Sequence, residues 1–170
     1  MPTCQICART IKLKDGPNLA HHGYQRPGSG WQTASCWGAR ELPYEVSCDV
    51  LKRWVIELAK QRDAARGRAE GTVEKLYLKV ASDWRKARHD PTRETYETVT
   101  EATLGETLAK YPRMGDYHGA AYKPLTWAHL VERYRHDQRT QAEHAEMERR
   151  DQQARLDAWK PPAEQTASAD

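Results

Sequence analysis

Apolar residues recur at steps of three and four from Val50 through Leu51, Trp54, Val55 and Leu58, the repeat of one buried helix face. With Ser47 as N-cap, this predicts a helix that turns polar after Leu58 and ends between Gly67 and Gly71. A second stripe (Trp127, Leu130, Val131, Tyr134, Gln141, Ala145, Gln152, Leu156, Trp159) predicts one long helix over 126–159, stopped by Pro161-Pro162. Its seam is polar in the middle, so it must lean on another element, and the 47–66 helix packed antiparallel is the natural mate. Residues 73–84 fit two periods. Val73, Leu76, Tyr77, Val80 and Trp84 make a helical stripe, while Leu76-Tyr77-Leu78-Lys79-Val80 also reads as a strand that could pair with 94–100 in a hairpin. Thr100 reads as the N-cap of a short helix through Leu104 and Leu108, stopped by Pro112, and 113–124 as a loop. Near the start, 11–14 and 19–22 read as two short strands around Asp15-Gly16-Pro17, followed by turn material at 26–30.

The expected fold is therefore α+β and mostly helical. A loop-rich module occupies 1–46, helices forming an antiparallel coiled hairpin occupy 47–160, and a mobile tail covers 161–170. Composition sharpens this reading. Leu, Ile and Val number 22 in 170 residues and Phe is absent, with six Trp and eight Tyr in partial compensation. So few apolar residues argue against a large two-layered α/β enzyme and for small packed clusters with an added cross-link.

Net charge is +3, with a basic middle and an acidic last third, and no polybasic arm. No apolar run exceeds three residues, so neither a membrane span nor a signal peptide is expected. That points to the cytoplasm, where thiols stay reduced and Cys4, Cys7, Cys36 and Cys48 suit a metal better than disulfides.

Cys4-Gln5-Ile6-Cys7 is the strongest chemical signal, since C-x-x-C puts two thiolates on one edge of a tetrahedron. Two further ligands come from His21, His22, Cys36 and Cys48. Neighbours on a strand face opposite ways, so one of His21 and His22 can turn to the metal. The preferred set is Cys4, Cys7, one of these histidines and Cys36, holding zinc. A Cys4/Cys7/Cys36/Cys48 set is the alternative and would release both histidines. A knuckle followed by a hairpin resembles a treble-clef or ribbon-type zinc finger.

The run Ala20-His21-His22-Gly23-Tyr24-Gln25-Arg26-Pro27-Gly28-Ser29-Gly30-Trp31-Gln32-Thr33-Ala34-Ser35-Cys36 carries a more specific likeness. With Cys4-x-x-Cys7 before it and Leu42-Pro43-Tyr44-Glu45-Val46-Ser47 after it, it resembles a family of bacteriophage and prophage proteins. These carry an AHHGY-x-RPG-x-GWQT-x-SC block ahead of a helical region. The resemblance covers residues 4 to about 55 and implies a mobile-element origin, hence an infected or lysogenic bacterial cytoplasm, and a zinc-finger-like fold. It implies no reaction. The knuckle, His21-His22 and Arg26-Pro27-Gly28 also partly resemble HNH nucleases, with His22 as general base. No Asn follows Asn18, however, and no His occurs between His22 and His89.

Nucleotide-binding glycine loops and the nucleophile elbow are absent from the sequence. His129 and His136 read as solvated helix residues, as do Glu143, Glu146 and Glu148 beside Arg149 and Arg150. Two non-catalytic functions remain. One is an interaction adapter on a host or phage protein, with self-association through the helical arm. The other is a nucleic-acid binder using Arg26, Trp31, Trp37 and Arg40.

Overall fold

The computed structural model of the chain describes residues 2–14, 16–25, 32–82, 94–118 and 124–162. The fold is α+β, with strands β1 (Gly23–Gln25) and β2 (Gln32–Ser35), then helix α1 (Asp49–Glu70). Strands β3 (Leu76–Ser82) and β4 (Glu94–Val99) follow, and then helices α2 (Leu104–Lys110), α3 (Met114–Tyr117) and α4 (Trp127–Asp157). Each strand pair forms its own antiparallel sheet. The chain divides into two compact units, Met1–Ala64 with Ala142–Asp170, and Ala65–Gln141. The expected tail lies mostly outside the described residues.

In the first unit, the strands expected at 11–14 and 19–22 shrink to a single bridge, Leu13 to Leu19. Lys14 N–H donates to Asn18 O and Ala20 N–H to Lys12 O, and the regular ladder forms one step later, between β1 and β2. Ile6, Leu19, Val50 and Leu51 make the core with the buried Cys4, Cys7 and Cys36. The helix starts two residues after the expected cap, Ser47, whose Oγ accepts Asp49 N–H at 3.1 Å.

The end of α4 is anchored within this unit, where Leu156 and Trp159 of the predicted stripe both find partners. Leu156 packs on the core around the cysteines, and Trp159 Nε1–H donates to Tyr44 O at 2.6 Å. Gln152, fully buried, donates to Ile6 O at 3.0 Å. Glu148 is also buried rather than solvated, accepting from Tyr24 Oη and from Trp54 Nε1 at 3.2 Å. Glu146 accepts from Arg149 and Arg150 on its own helix and from Arg62 of α1.

In the second unit the two-period segment is a hairpin, with Leu76 opposite Val99 and Lys79 opposite Tyr96. Tyr77, which a helical stripe would bury, is 73% exposed, whereas Leu76 and Val80 point into a core with Val99, Leu104, Met114, Leu125 and Leu130. Alternation wins because only period two puts every large aliphatic side chain of this segment on one face. The expected cap of α2 moves from Thr100 to Thr103, whose Oγ1 accepts Thr100 N–H at 3.0 Å. Part of the expected 113–124 loop is helical, as α3. Thr126 Oγ1 accepts His129 N–H and opens α4. Here the buried polar position of α4 is Gln138, which accepts Arg68 Nε–H at 2.6 Å, while Gln141 is exposed.

Candidate metal centre

The C-x-x-C turn is shaped by its own backbone. Ala8 N–H donates to Cys4 O at 3.2 Å, closing one turn, and Ala8 then takes φ 57°. Ile6 N–H points at Cys4 Sγ at 3.4 Å, and Arg9 Nε–H reaches Cys7 Sγ at 3.4 Å. Such donors favour thiolate over thiol.

The hairpin delivers the second pair. Cys36 N–H donates to His22 O at 3.0 Å and Gly23 lies opposite Ser35, so 14 residues of sequence separation collapse to adjacent chains. Cys36-Trp37-Gly38 then repeats the knuckle turn. A Cβ on Gly38 would overlap Cys4 Sγ, so only glycine lets the two knuckles close on one another.

Cys4, Cys7, His22 and Cys36 thereby present ligand atoms that all lie within 4.8 Å of one another. Cys4 Sγ and Cys36 Sγ are 3.7 Å apart. A tetrahedron with metal–sulfur bonds of about 2.3 Å has an edge of about 3.8 Å, so the spacing fits a shared ion. His22 Nδ1 lies 2.9 Å from Ala20 O, which only accepts, so Nδ1 carries the proton. Its Nε2 is buried without a hydrogen-bond partner among the described residues and keeps its lone pair. Carbonyl-oriented histidine with a bare second nitrogen is the arrangement of a metal ligand.

Sulfurs this close do not ionise independently. Hydrogen bonds from Cys36 and Cys4 hold the Cys7 thiol well below its ordinary value. The same contacts, seen from Cys36 toward Cys4 and Cys7, push the Cys36 thiol far up. Three close sulfurs thus favour one shared negative charge, and full ionisation needs a cation among them. The group could hold a metal ion.

His21 turns the other way, exposed, with Nε2 3.1 Å from Ser35 Oγ. Cys48 is 2% exposed but stands outside the cluster, at the start of α1. Trp37 is 52% exposed and rests on Trp54, ring centroids 4.9 Å apart. Arg40 is exposed, and Arg26 and Trp31 lie outside the described residues. Two supporting residues escaped sequence reasoning. Gln5 looks like filler between cysteines, and Arg155 looks like a surface helix residue. Arg155 instead donates to Ile6 O at 3.0 Å and Cys4 O at 3.3 Å.

Set against known protein families, curated proteins and solved structures, the chain matches none of them. Among the described residues no helix is long and apolar enough to cross a membrane.

Proposed function

We propose that the chain is a non-catalytic zinc protein in which Cys4, Cys7, His22 and Cys36 hold one structural Zn²⁺. The observation that carries this reading is the buried, unpartnered Nε2 of His22 beside three cysteine sulfurs. Thiolate and imidazole donors at tetrahedral spacing suit zinc, and four protein ligands leave no open position for substrate. Three thiolates on a divalent ion leave one negative charge, which Arg9 and Arg155 are placed to offset. His22 serving as a ligand removes the histidine expected as the HNH-type general base, which supports a binding role over catalysis.

Two ligands from a knuckle and two from the ends of a hairpin favour a treble-clef or ribbon-like head, and the bonds Trp54–Glu148 and Arg62–Glu146 favour α1 and α4 as an antiparallel coiled hairpin. The likeness of residues 4–55 to phage and prophage proteins favours a mobile-element origin and work in a bacterial cytoplasm. An adapter for a host or phage protein stays the first reading of its role. Leu156, partly buried against the core around the cysteines, does not leave the end of α4 bare for a protein partner, so nucleic acid gains weight.

The test is metal analysis of protein purified without chelator, together with visible spectra after exchange with Co²⁺. One equivalent of zinc and the absorption of tetrahedral thiolate-bound cobalt are expected. Less than about a tenth of an equivalent, with no cobalt uptake, would falsify the reading.

A further inference from the structure

Beside the cysteine cluster, in the same unit, a cleft of ≈ 360 Å³ is lined by Lys14, Asn18, Leu19, Ala20, His21 and Arg40. Its polar side chains can all donate hydrogen bonds, and the lining holds no carboxylate among the described residues. Lys14 and Arg40 enter no ion pair among the described residues, whereas Arg53 nearby in sequence is matched with Glu41 and Lys52 with Asp49. Two unneutralised cations facing one cleft repel each other, and an anion relieves that repulsion.

The backbone holds them in place. Lys14 N–H donates to Asn18 O at 2.9 Å, and Arg40 N–H to Leu19 O at 3.1 Å. To make that bond Arg40 sits at φ 66°, a left-handed conformation that glycine or asparagine adopts more readily. Ala8 takes the same state four residues after Cys4, so the knuckle turn itself sets this conformation and presents Arg40 at the rim of the cleft. Within the same turn, Trp37 keeps about half its surface in solvent while Trp54 supports it. An exposed indole braced from behind offers a base a stacking face.

We propose that the Lys14–His21–Arg40 cleft binds the phosphodiester backbone of a single-stranded nucleic acid, with Trp37 as the neighbouring stacking surface. This deepens the nucleic-acid reading of the zinc protein and rests on its metal centre, since the cysteine cluster shapes the Cys36–Arg40 turn.

The test is fluorescence anisotropy of a labelled single-stranded oligodeoxynucleotide across a salt series, with zinc content measured on every sample. Wild type should bind, with affinity falling as salt rises. Lys14→Gln with Arg40→Gly, which relieves the backbone, should lower the salt slope by about 1.4, or about 0.7 for each phosphate no longer neutralised. The exposed single substitution Lys14→Gln should lower it by about 0.7 if the double variant loses zinc. Zinc-loaded wild type that ignores the oligonucleotide at low salt overturns the cleft and leaves the metal centre standing, as does a zinc-loaded variant with unchanged slope. Wild type without zinc overturns the metal centre itself. Inorganic phosphate competing as well as unlabelled oligonucleotide, at equal charge, would mark a free-anion site and overturn the nucleic-acid assignment.

Discussion

Gln5 caps α1 from a distance: its Oε1 accepts the backbone N–H of Val50 at 3.0 Å, and that of Leu51 at 3.2 Å. Its Nε2 donates to Leu42 O at 2.8 Å, so a residue inside the C-x-x-C turn satisfies donors that α1 itself leaves open. The adjacent Ile6 carbonyl accepts from Gln152 and Arg155 of α4. The two residues between the cysteines therefore tie the knuckle to both helices within this unit.

Gln5→Ala strands buried N–H groups and should cost about 1–3 kcal/mol. Zinc content should stay at one equivalent, because no ligand is touched. Denaturant midpoints of the zinc-loaded proteins measure this, and an unchanged midpoint would show that solvent caps the helix equally well.

The two histidines should separate cleanly. His22→Ala removes a ligand and should weaken metal retention at least about tenfold in competition with a chromogenic chelator. His21→Ala, at an exposed side chain, should leave it unchanged. The opposite ranking would move the ligand to His21.

Two glycines predict opposite signs. Gly38→Ala forces a Cβ onto Cys4 Sγ and should lower both zinc retention and the melting temperature. Gly67→Ala, inside α1 with nothing within 4 Å of the new Cβ, should stabilise by about 0.5–1 kcal/mol. Parallel thermal melts compare the pair.

Trp54 combines packing with a hydrogen bond. Trp54→Ala gives up the packing against Trp37 and Tyr24 and takes one donor from buried Glu148, which should cost about 3 kcal/mol. Trp54→Phe keeps most of the packing and should cost about 1 kcal/mol. Equal costs in chemical denaturation would mean that the indole N–H matters and the ring does not.

His118 makes the second unit acid-sensitive. Burial holds its pKa below the ordinary 6.5, against the bond from its Nε2 to Lys79 O, which raises it. The unfolded chain therefore takes up the proton first as pH falls. The stabilisation is complete above about 6.5 and is lost progressively below it, toward the depressed folded value. His118→Gln, which can still donate to Lys79 O, should lose less stability than wild type between pH 7.5 and pH 5. Equal losses in urea titrations would assign the acid sensitivity to other groups.

Residue pattern alone determined what depends on near neighbours in the chain. The stripe from Val50 to Leu58 was enough for α1, the run after Thr126 for α4, and Cys4-x-x-Cys7 for a two-thiolate turn, because helix periods and knuckles close over three or four residues. The hairpin at 76–99 was visible only as one of two options, since its short apolar run fits both periods until a core chooses the face.

Tertiary structure decided the rest. Which histidine faces the sulfurs depends on the pairing of β1 with β2: Gly23 lies opposite Ser35 and Cys36 N–H donates to His22 O, which brings His22 to Cys36 and leaves His21 to solvent. The roles of Gln5, Gln152 and Arg155 depend on contacts spanning 45 to 151 residues of sequence. No local propensity encodes such contacts. They exist only once buried backbone groups of the knuckle and of α1, cut off from water, must find partners wherever the fold brings them.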